Sequence, residues 1–387
     1  MDDIPLDEIS YDTVIPTLQP GTMAQVRDLI AQQGLQVDSG IDVYCVARRQ
    51  DRLVGCGGLS GDVIKCVSID DAVQGQGVVE KLITELTYTA VDRGVHHLFL
   101  YTRPQYEQAF SGCGFHTIAS VPDTVVMMEN TASGVSTWTE QLTFYRRDRP
   151  KVGACVVNCN PFTLGHQYLL QQAAQDCDYL HVFVVSEDAS FFPYRDRLAL
   201  VRAGVATLPE RDRIHVHPGS PYIVSKATFP TYFLKDEGII DMAATAIDLR
   251  IFRQHIAPAL GLTHRYVGTE PLCRVTRQYN ADMRYWLEQA SDSAPPVTVV
   301  EIPRLTSHDR AISATEVRRR ILDGRLDGLR DLVPSATYAL IIERYGDAHD
   351  KARATAEANS EASWSDPHVR ESALAALERA FVGAPVA

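Results

Sequence analysis

Residues 152–174, VGACVVNCNPFTLGHQYLLQQAA, constrain the fold more than any other stretch of the chain. The unbroken apolar run 152–157 suits a strand buried on both faces of a parallel sheet. A turn rich in Asn and Pro interrupts it, and residues 167–174 read as a helix. Thr163, Gly165 and His166 stand where the strand hands over to the helix. A helix start offers unpaired backbone N–H groups and the positive end of the helix dipole, which suits a phosphate. In an open α/β sheet, ligands also collect at the carboxyl ends of the strands.

The rest of the chain narrows the class. Its 387 residues allow two or three domains with real cores. A formal net charge of -12 gives no basic footprint, so a nucleic-acid partner is not expected. The opening MDDIPLDEIS is acidic and lacks an apolar core, so it does not read as a signal peptide. No run approaches the roughly 20 apolar residues that span a bilayer, so no membrane partner is expected. The 8 cysteines are scattered without metal-type pairs, which reads as reduced thiols in a cytoplasmic protein.

Residues 1–145 read as one mixed α/β domain. Helices are expected at 23–33 and 78–93, and strands at 43–48, 53–59, 63–69 and 97–102. Just before the second helix lies Gln74-Gly75-Gln76-Gly77, a glycine-rich start able to offer backbone N–H groups to an anion. The polar, proline-containing run 146–151 is the expected linker. From 152 to 346 strands and helices alternate. Strands are expected at 180–186, 214–216, 265–267 and 297–302, and helices at 196–207, 248–257 and 279–289. That alternation implies a doubly wound, Rossmann-like parallel sheet. Asp248 and Arg250 read as a solvated helix face. Residues 347–387 shift to alanine, serine and glutamate and form an extension whose role the sequence does not state.

A second helix start carries chemistry. In Ile312-Ser313-Ala314-Thr315-Glu316-Val317-Arg318, Ser313 or Thr315 can cap the helix. Arg318, one turn in, would project beside the exposed N–H groups and add positive charge. Either motif alone is common helix grammar. Together, after the first and last strands of one βα-alternating domain, they are a stronger sign of phosphate binding than either alone.

The pair resembles the HxGH and ISSTxxR signatures of the nucleotidyltransferase superfamily, with Thr163 in place of the first histidine, as in a subset of that superfamily. The loop at Gln74, Gly75 and Gly77 resembles the pyrophosphate loop of GNAT-type acetyltransferases, although Val79 stands where a small residue is expected. Longer strings are similar to the citrate lyase ligase family: NCNPFTLGH at 158–166, SKATFPTYFL at 225–234, IAPALG at 256–261 and VGTEP at 267–271. The same two-domain order belongs to that family, and the resemblance covers roughly residues 10–345.

The resemblance implies an acid–thiol ligase. Acetate and ATP would give acetyl-adenylate and diphosphate. The acetyl group would then pass to the thiol of a phosphoribosyl-dephospho-coenzyme A arm on the acyl carrier subunit of citrate lyase, releasing AMP. His166, Thr163 and Arg318 are implied as catalytic. Asn158, Asn160, Pro161, Phe162, Gly165, Gly268, Glu270, Ile312, Ser313 and Thr315 are implied at the ATP site, with Mg2+ bridging phosphate oxygens. Gln74, Gly75 and Gly77 are implied at the coenzyme A-like arm. Acetate is charged and needs its desolvation offset, for which Arg197, Lys226 and Thr228 are candidates. Two alternatives share parts of the pattern: an adenylyltransferase acting on a phosphorylated substrate such as phosphopantetheine, and a coenzyme A-dependent acetyltransferase with a degenerate nucleotide domain.

Overall fold

A computed structural model describes residues 9–35, 37–38, 40–186, 190–225, 242–270, 274–307 and 310–346. The chain forms two compact units. One runs to Trp138 and takes in Met242–Ile251; the other begins at Thr139 and holds the chain from Phe252 onward. Among the described residues no helix is long and apolar enough to cross a membrane.

The first unit contains β1 (Ile9–Val14), α1 (Pro20–Gln32), β2 (Val43–Arg49), β3 (Arg52–Ser60), β4 (Val63–Ile69), α2 (Val78–Asp92), β5 (Phe99–Thr102), α3 (Glu107–Gly112), β6 (His116–Val121) and β7 (Val125–Glu129). The chain leaves it within α4 (Gly134–Thr143). Its seven strands form one sheet in the order β1-β2-β3-β4-β5-β7-β6. Alternation along β2 sorts the core: Val43, Cys45 and Ala47 face the cluster of α2, while Tyr44 and Val46 face that of α1. On α2, Val78, Leu82, Ile83, Leu86 and Ala90 form the buried stripe. Strands β4 and β5 are parallel and pair only at Val63↔Phe99 and Ile64↔Leu100.

The glycine loop caps α2. Gly77 is its N-cap at φ 79°, a left-handed conformation that a side chain would strain. Gln74 Nε2 donates to Asp71 Oδ1 at 2.7 Å, and Gly75 is also left-handed, at φ 74°. Val79 packs against the core of this unit.

The second unit contains β8 (Val152–Val157), α5 (Leu164–Asp176), β9 (Tyr179–Val184), α6 (Tyr194–Ala206) and β10 (Ile214–His217). After α7 (Met242–Ile251), which packs with β6 and β7 of the first unit, come a π-turn at Phe252–Ile256, α8 (Ala257–Leu260) and β11 (His264–Gly268). Then follow α9 (Arg274–Met283), a second π-turn (Arg284–Gln289), β12 (Thr298–Ile302), the two-residue strands β13 (Thr306–Ser307) and β14 (Arg310–Ala311), α10 (Ala314–Leu322) and α11 (Ser335–Tyr345). The helix expected at 248–257 is therefore divided at Ile251. Asp248 is only 2% exposed, which corrects the solvated face expected of it.

Strands β8 to β12 make a five-stranded parallel sheet in the order β10-β9-β8-β11-β12. The chain winds outward from β8 through β9 to β10, then returns to the other side of β8 with β11. This reversal is a switch point, and the crevice it opens lies at the carboxyl ends of β8 and β11. Cys155, Val157, Val182 and Val184 pack against Leu170, Ala173 and Ala174 of α5 and Leu200, Val201 and Val205 of α6. A second cluster joins Ile312, Val317 and Ile321 to Leu332, Ile341 and Tyr345, and to Phe191 and Phe192. Arg344 of α11 binds both carboxylate oxygens of buried Asp196 on α6, clamping these helices together.

Candidate functional site

Beyond Val157 the chain must turn sharply from β8 into α5, and neighbouring side chains hold it. Asn160 Oδ1 accepts from Phe192 N at 2.9 Å, and the Asn160–Pro161 bond is cis. Phe162 is fully buried against α6, whose Gly204 admits it. A Cβ at Gly204 would lie 2.1 Å from Phe162 Cε1. The aromatic ring and the missing side chain together fix where α5 begins.

Thr163 caps that helix. Its Oγ1 accepts from His166 N at 3.3 Å, and its own N–H donates to His166 Nδ1 at 3.1 Å. The Thr163 hydroxyl also lies 2.8 Å from Nδ1. This is a capping box with histidine in the place of the usual Glu or Gln. Because Nδ1 accepts a backbone proton, the neutral ring carries its hydrogen on Nε2. Burial first, and the nearby Arg304 guanidinium second, together push the His166 pKa down to about 4. At neutral pH His166 is therefore an uncharged donor through Nε2.

The second helix start meets the first. Ser313 caps α10 by accepting from Thr315 N at 3.2 Å. The buried Ile312 brings its carbonyl oxygen to 3.4 Å from the point where a Cβ on Gly165 would stand. Arg318 reaches back from α10, with Nη1 donating to Asn160 O at 2.6 Å and Nη2 to Thr315 Oγ1 at 3.1 Å. Thus Asn160, Thr163, Gly165, His166, Ile312, Ser313, Thr315 and Arg318 converge on one place, although the two motifs lie far apart in sequence.

Gly268 and Glu270 arrive from β11. Gly268 O accepts from Asn280 Nδ2 at 3.0 Å. Glu270 binds Arg304, a residue that the motifs do not include. Arg304 Nε donates to Thr269 O at 2.8 Å, and Arg304 N to Thr269 Oγ1 at 3.3 Å. The next residue, Leu305, accepts from Ile312 N at 3.1 Å, which ties Arg304 to the start of α10. The available signal was positional: Arg304 stands two residues past a parallel strand, at the edge where such sheets bind ligands.

The remaining candidates are placed differently. Arg197 is 0% exposed. It donates to the carbonyls of Phe192, Asn158 and Val185 and to Asn158 Oδ1, at 2.7–3.0 Å. It supports the Asn158 turn from within the unit. Lys226 and Thr228 lie outside the described residues. Gln74, Gly75 and Gly77 belong to the first unit. Among the described residues no group of three or more His, Cys, Asp and Glu side chains is arranged to hold a metal ion.

Comparison with known proteins gives the family. The family model for the citrate lyase ligase C-terminal domain matches residues 152–341, and that for the acetyltransferase (GNAT) family matches residues 15–115. The [citrate [pro-3S]-lyase] ligase of Escherichia coli (strain K12) is 49% identical over 315 residues, 81% of this chain and 89% of the relative. The ligase of that name from Klebsiella pneumoniae is 44% identical over 323 residues, 84% of this chain and 93% of the relative. That from Haemophilus influenzae is 44% identical over 316 residues, covering 81% and 93%. Similarity at this level, running through both units and both helix starts, means that the chain belongs to the citrate lyase ligase family.

Proposed function

We infer that this enzyme activates citrate lyase, joining acetate to the lyase's acyl carrier with the energy of ATP. The observation that carries the chemistry is the meeting of two capped helix starts, Thr163/His166 and Ser313/Arg318, at the switch point of a parallel sheet. The relatives' names support the acceptor. Neither the adenylyltransferase nor the free-standing acetyltransferase alternative is favoured.

In the reaction we propose, an acetate oxygen attacks the α-phosphorus of ATP. The bond from that phosphorus to the β-phosphate oxygen breaks, and diphosphate leaves. The carrier thiol then adds to the acyl carbon, the bond from carbon to the AMP oxygen breaks, and the thiol proton passes to solvent. Charge builds on phosphoryl oxygens in the first step, so positioning and fixed donors supply most of the catalysis. His166 donates from Nε2 to an α-phosphoryl oxygen, and Thr163 holds the ring in that tautomer and faces the reacting group. Arg318 holds the β- and γ-phosphates. Asn158, Asn160, Pro161 and Phe162 shape the turn beneath the nucleotide, and Gly165, Ile312, Ser313 and Thr315 form the two helix starts around its phosphates. Gly268 and Glu270 border the site from β11. Mg2+ enters with ATP as part of the substrate and neutralises its phosphates; Glu270, a carboxylate bordering the site, is already paired with Arg304.

The division of labour follows the halves 1–145 and 152–346, joined at 146–151. The first holds the phosphoribosyl-dephospho-coenzyme A arm near Gln74, Gly75 and Gly77, where the left-handed backbone of the two glycines turns N–H groups towards the start of α2. A carrier arm that reacts through a free thiol suits a reducing compartment, which favours the cytoplasm as the place of reaction. The test is exchange of labelled diphosphate into ATP by the purified chain. Exchange that requires acetate is expected; exchange indifferent to acetate would sink the adenylate route.

A further inference from the structure

We propose that Arg304 receives the carboxylate of the acid substrate. This rests on the adenylate-forming reading above and names the residue that recognises the acid. Three observations carry it.

The first is place. Arg304 lies where the carboxyl ends of β11 and β12 meet the start of α10, and its charge acts on His166. A carboxylate held there stands beside the ring assigned to the α-phosphate.

The second is fixation. Thr269 accepts from both the backbone N–H and Nε of Arg304, and Glu270 accepts from Nη2. The Nε/Nη2 edge of the guanidinium is therefore occupied, and the long side chain is ordered before any substrate arrives. Its other edge, Nη1 with the second proton of Nη2, makes no hydrogen bond among the described residues. The Arg304 side chain is 29% exposed while Glu270 is 6% exposed, so the arginine keeps access that its partner lacks.

The third is chemical fit. Two parallel N–H groups on a guanidinium match the two oxygens of a carboxylate. Each carboxylate oxygen keeps a second lone pair, so one of them can still attack phosphorus while gripped. Glu270 offsets part of the Arg304 charge, which weakens its pull on a polyanionic triphosphate but leaves the directed hydrogen bonds to a planar monoanion. Arg197, the cationic candidate that is described, is enclosed and bound to backbone carbonyls. Arg304 supplies what a charged acid needs on leaving water.

The experiment is diphosphate exchange by the full chain, with acetate and ATP varied separately. Arg304→Ala removes the guanidinium. Arg304→Lys keeps a cation for Glu270, so the loop is retained while the second donor of the fork is lost. Loss of one charge-assisted pair raises half-saturating acetate by about 10- to 100-fold. Half-saturating ATP stays within about twofold, because the phosphates keep their own donors. A rise in half-saturating ATP with acetate unchanged would overturn the proposal and give Arg304 to the nucleotide. Wild-type exchange that needs acetate, with both variants unchanged in their acetate requirement, would overturn the Arg304 assignment alone. Wild-type exchange indifferent to acetate would remove the reading on which it rests.

Discussion

The Thr163 hydroxyl caps a helix and is proposed to face the reacting group, and stability and rate report on the two separately. It caps α5 through His166 N at 3.3 Å and touches His166 Nδ1 at 2.8 Å, and the residue is buried. Thr163→Val keeps the branched shape and removes both contacts. Losing an N-cap costs about 0.5–2 kcal/mol, and the His166 N–H left without its acceptor belongs to that same cost. A domain held by roughly 5–15 kcal/mol stays folded after such a loss. The Thr163 N–H still donates to Nδ1, so the histidine tautomer survives while the ring is less restrained. Diphosphate exchange should nevertheless fall by about 10²–10³, the usual cost of one preorganised donor at a developing oxyanion. Thr163→Ser keeps the hydroxyl and should recover both stability and rate to within a few-fold. Urea melts and exchange rates on the three proteins decide the matter. If Thr163→Val loses about 1 kcal/mol of stability but exchanges at the wild-type rate, the hydroxyl is only a cap and its catalytic role is refuted.

Two further outcomes follow from the same geometry. An NMR titration of the His166 ring should give a midpoint near 4, because burial disfavours the cation. A folded pKa below the unfolded value means the native state binds fewer protons, so His166 withdraws stability as pH falls from about 6.5 towards 4; a midpoint near 6.5 would show a solvated ring. Phe162→Ala should cost about 3–5 kcal/mol in urea melts, since the ring fills the space that Gly204 leaves open; a loss below about 1 kcal/mol would show that the turn does not depend on that packing.

What the sequence made legible was local. The run 152–157, the turn and the helix that follows lie within a few residues of one another, and apolar continuity with Pro and Gly punctuation reports at that range; the cap at Thr163 appears only in the folded chain. The strands of the second sheet were readable for the same reason, and so was the cap at Ser313. Burial of charge was not. Arg197 and Asp248 look like surface residues from their neighbours in sequence, yet Arg197 ends among the carbonyls of Phe192, Asn158 and Val185, and Asp248 is enclosed. Those outcomes depend on partners that periodicity cannot locate. The helix at Met242–Ile251 shows the same limit: the pattern puts a helix at 248–257, and nothing in it says that the earlier stretch is helical and packs with β6 and β7.

Arg304 escaped notice for a related reason, and its anchoring connects it with the motif residues. His166, Arg318 and Arg304 are each held on one side by a backbone group: Thr163 N–H, Asn160 O and Thr269 O. Those backbone groups are at or just beyond the carboxyl ends of β8 and β11, so the three side chains inherit the rigidity of the sheet. A surface arginine would lose on the order of 2 kcal/mol of rotamer freedom on gripping an anion. Here much of that ordering accompanies folding, and little reorganisation is left for the moment of reaction. A motif search finds His166 and Arg318 because helix starts constrain which residues can stand there. Arg304 is set by a turn between two strand ends, where residue identity is constrained by what it must reach, and only the folded chain shows what that is.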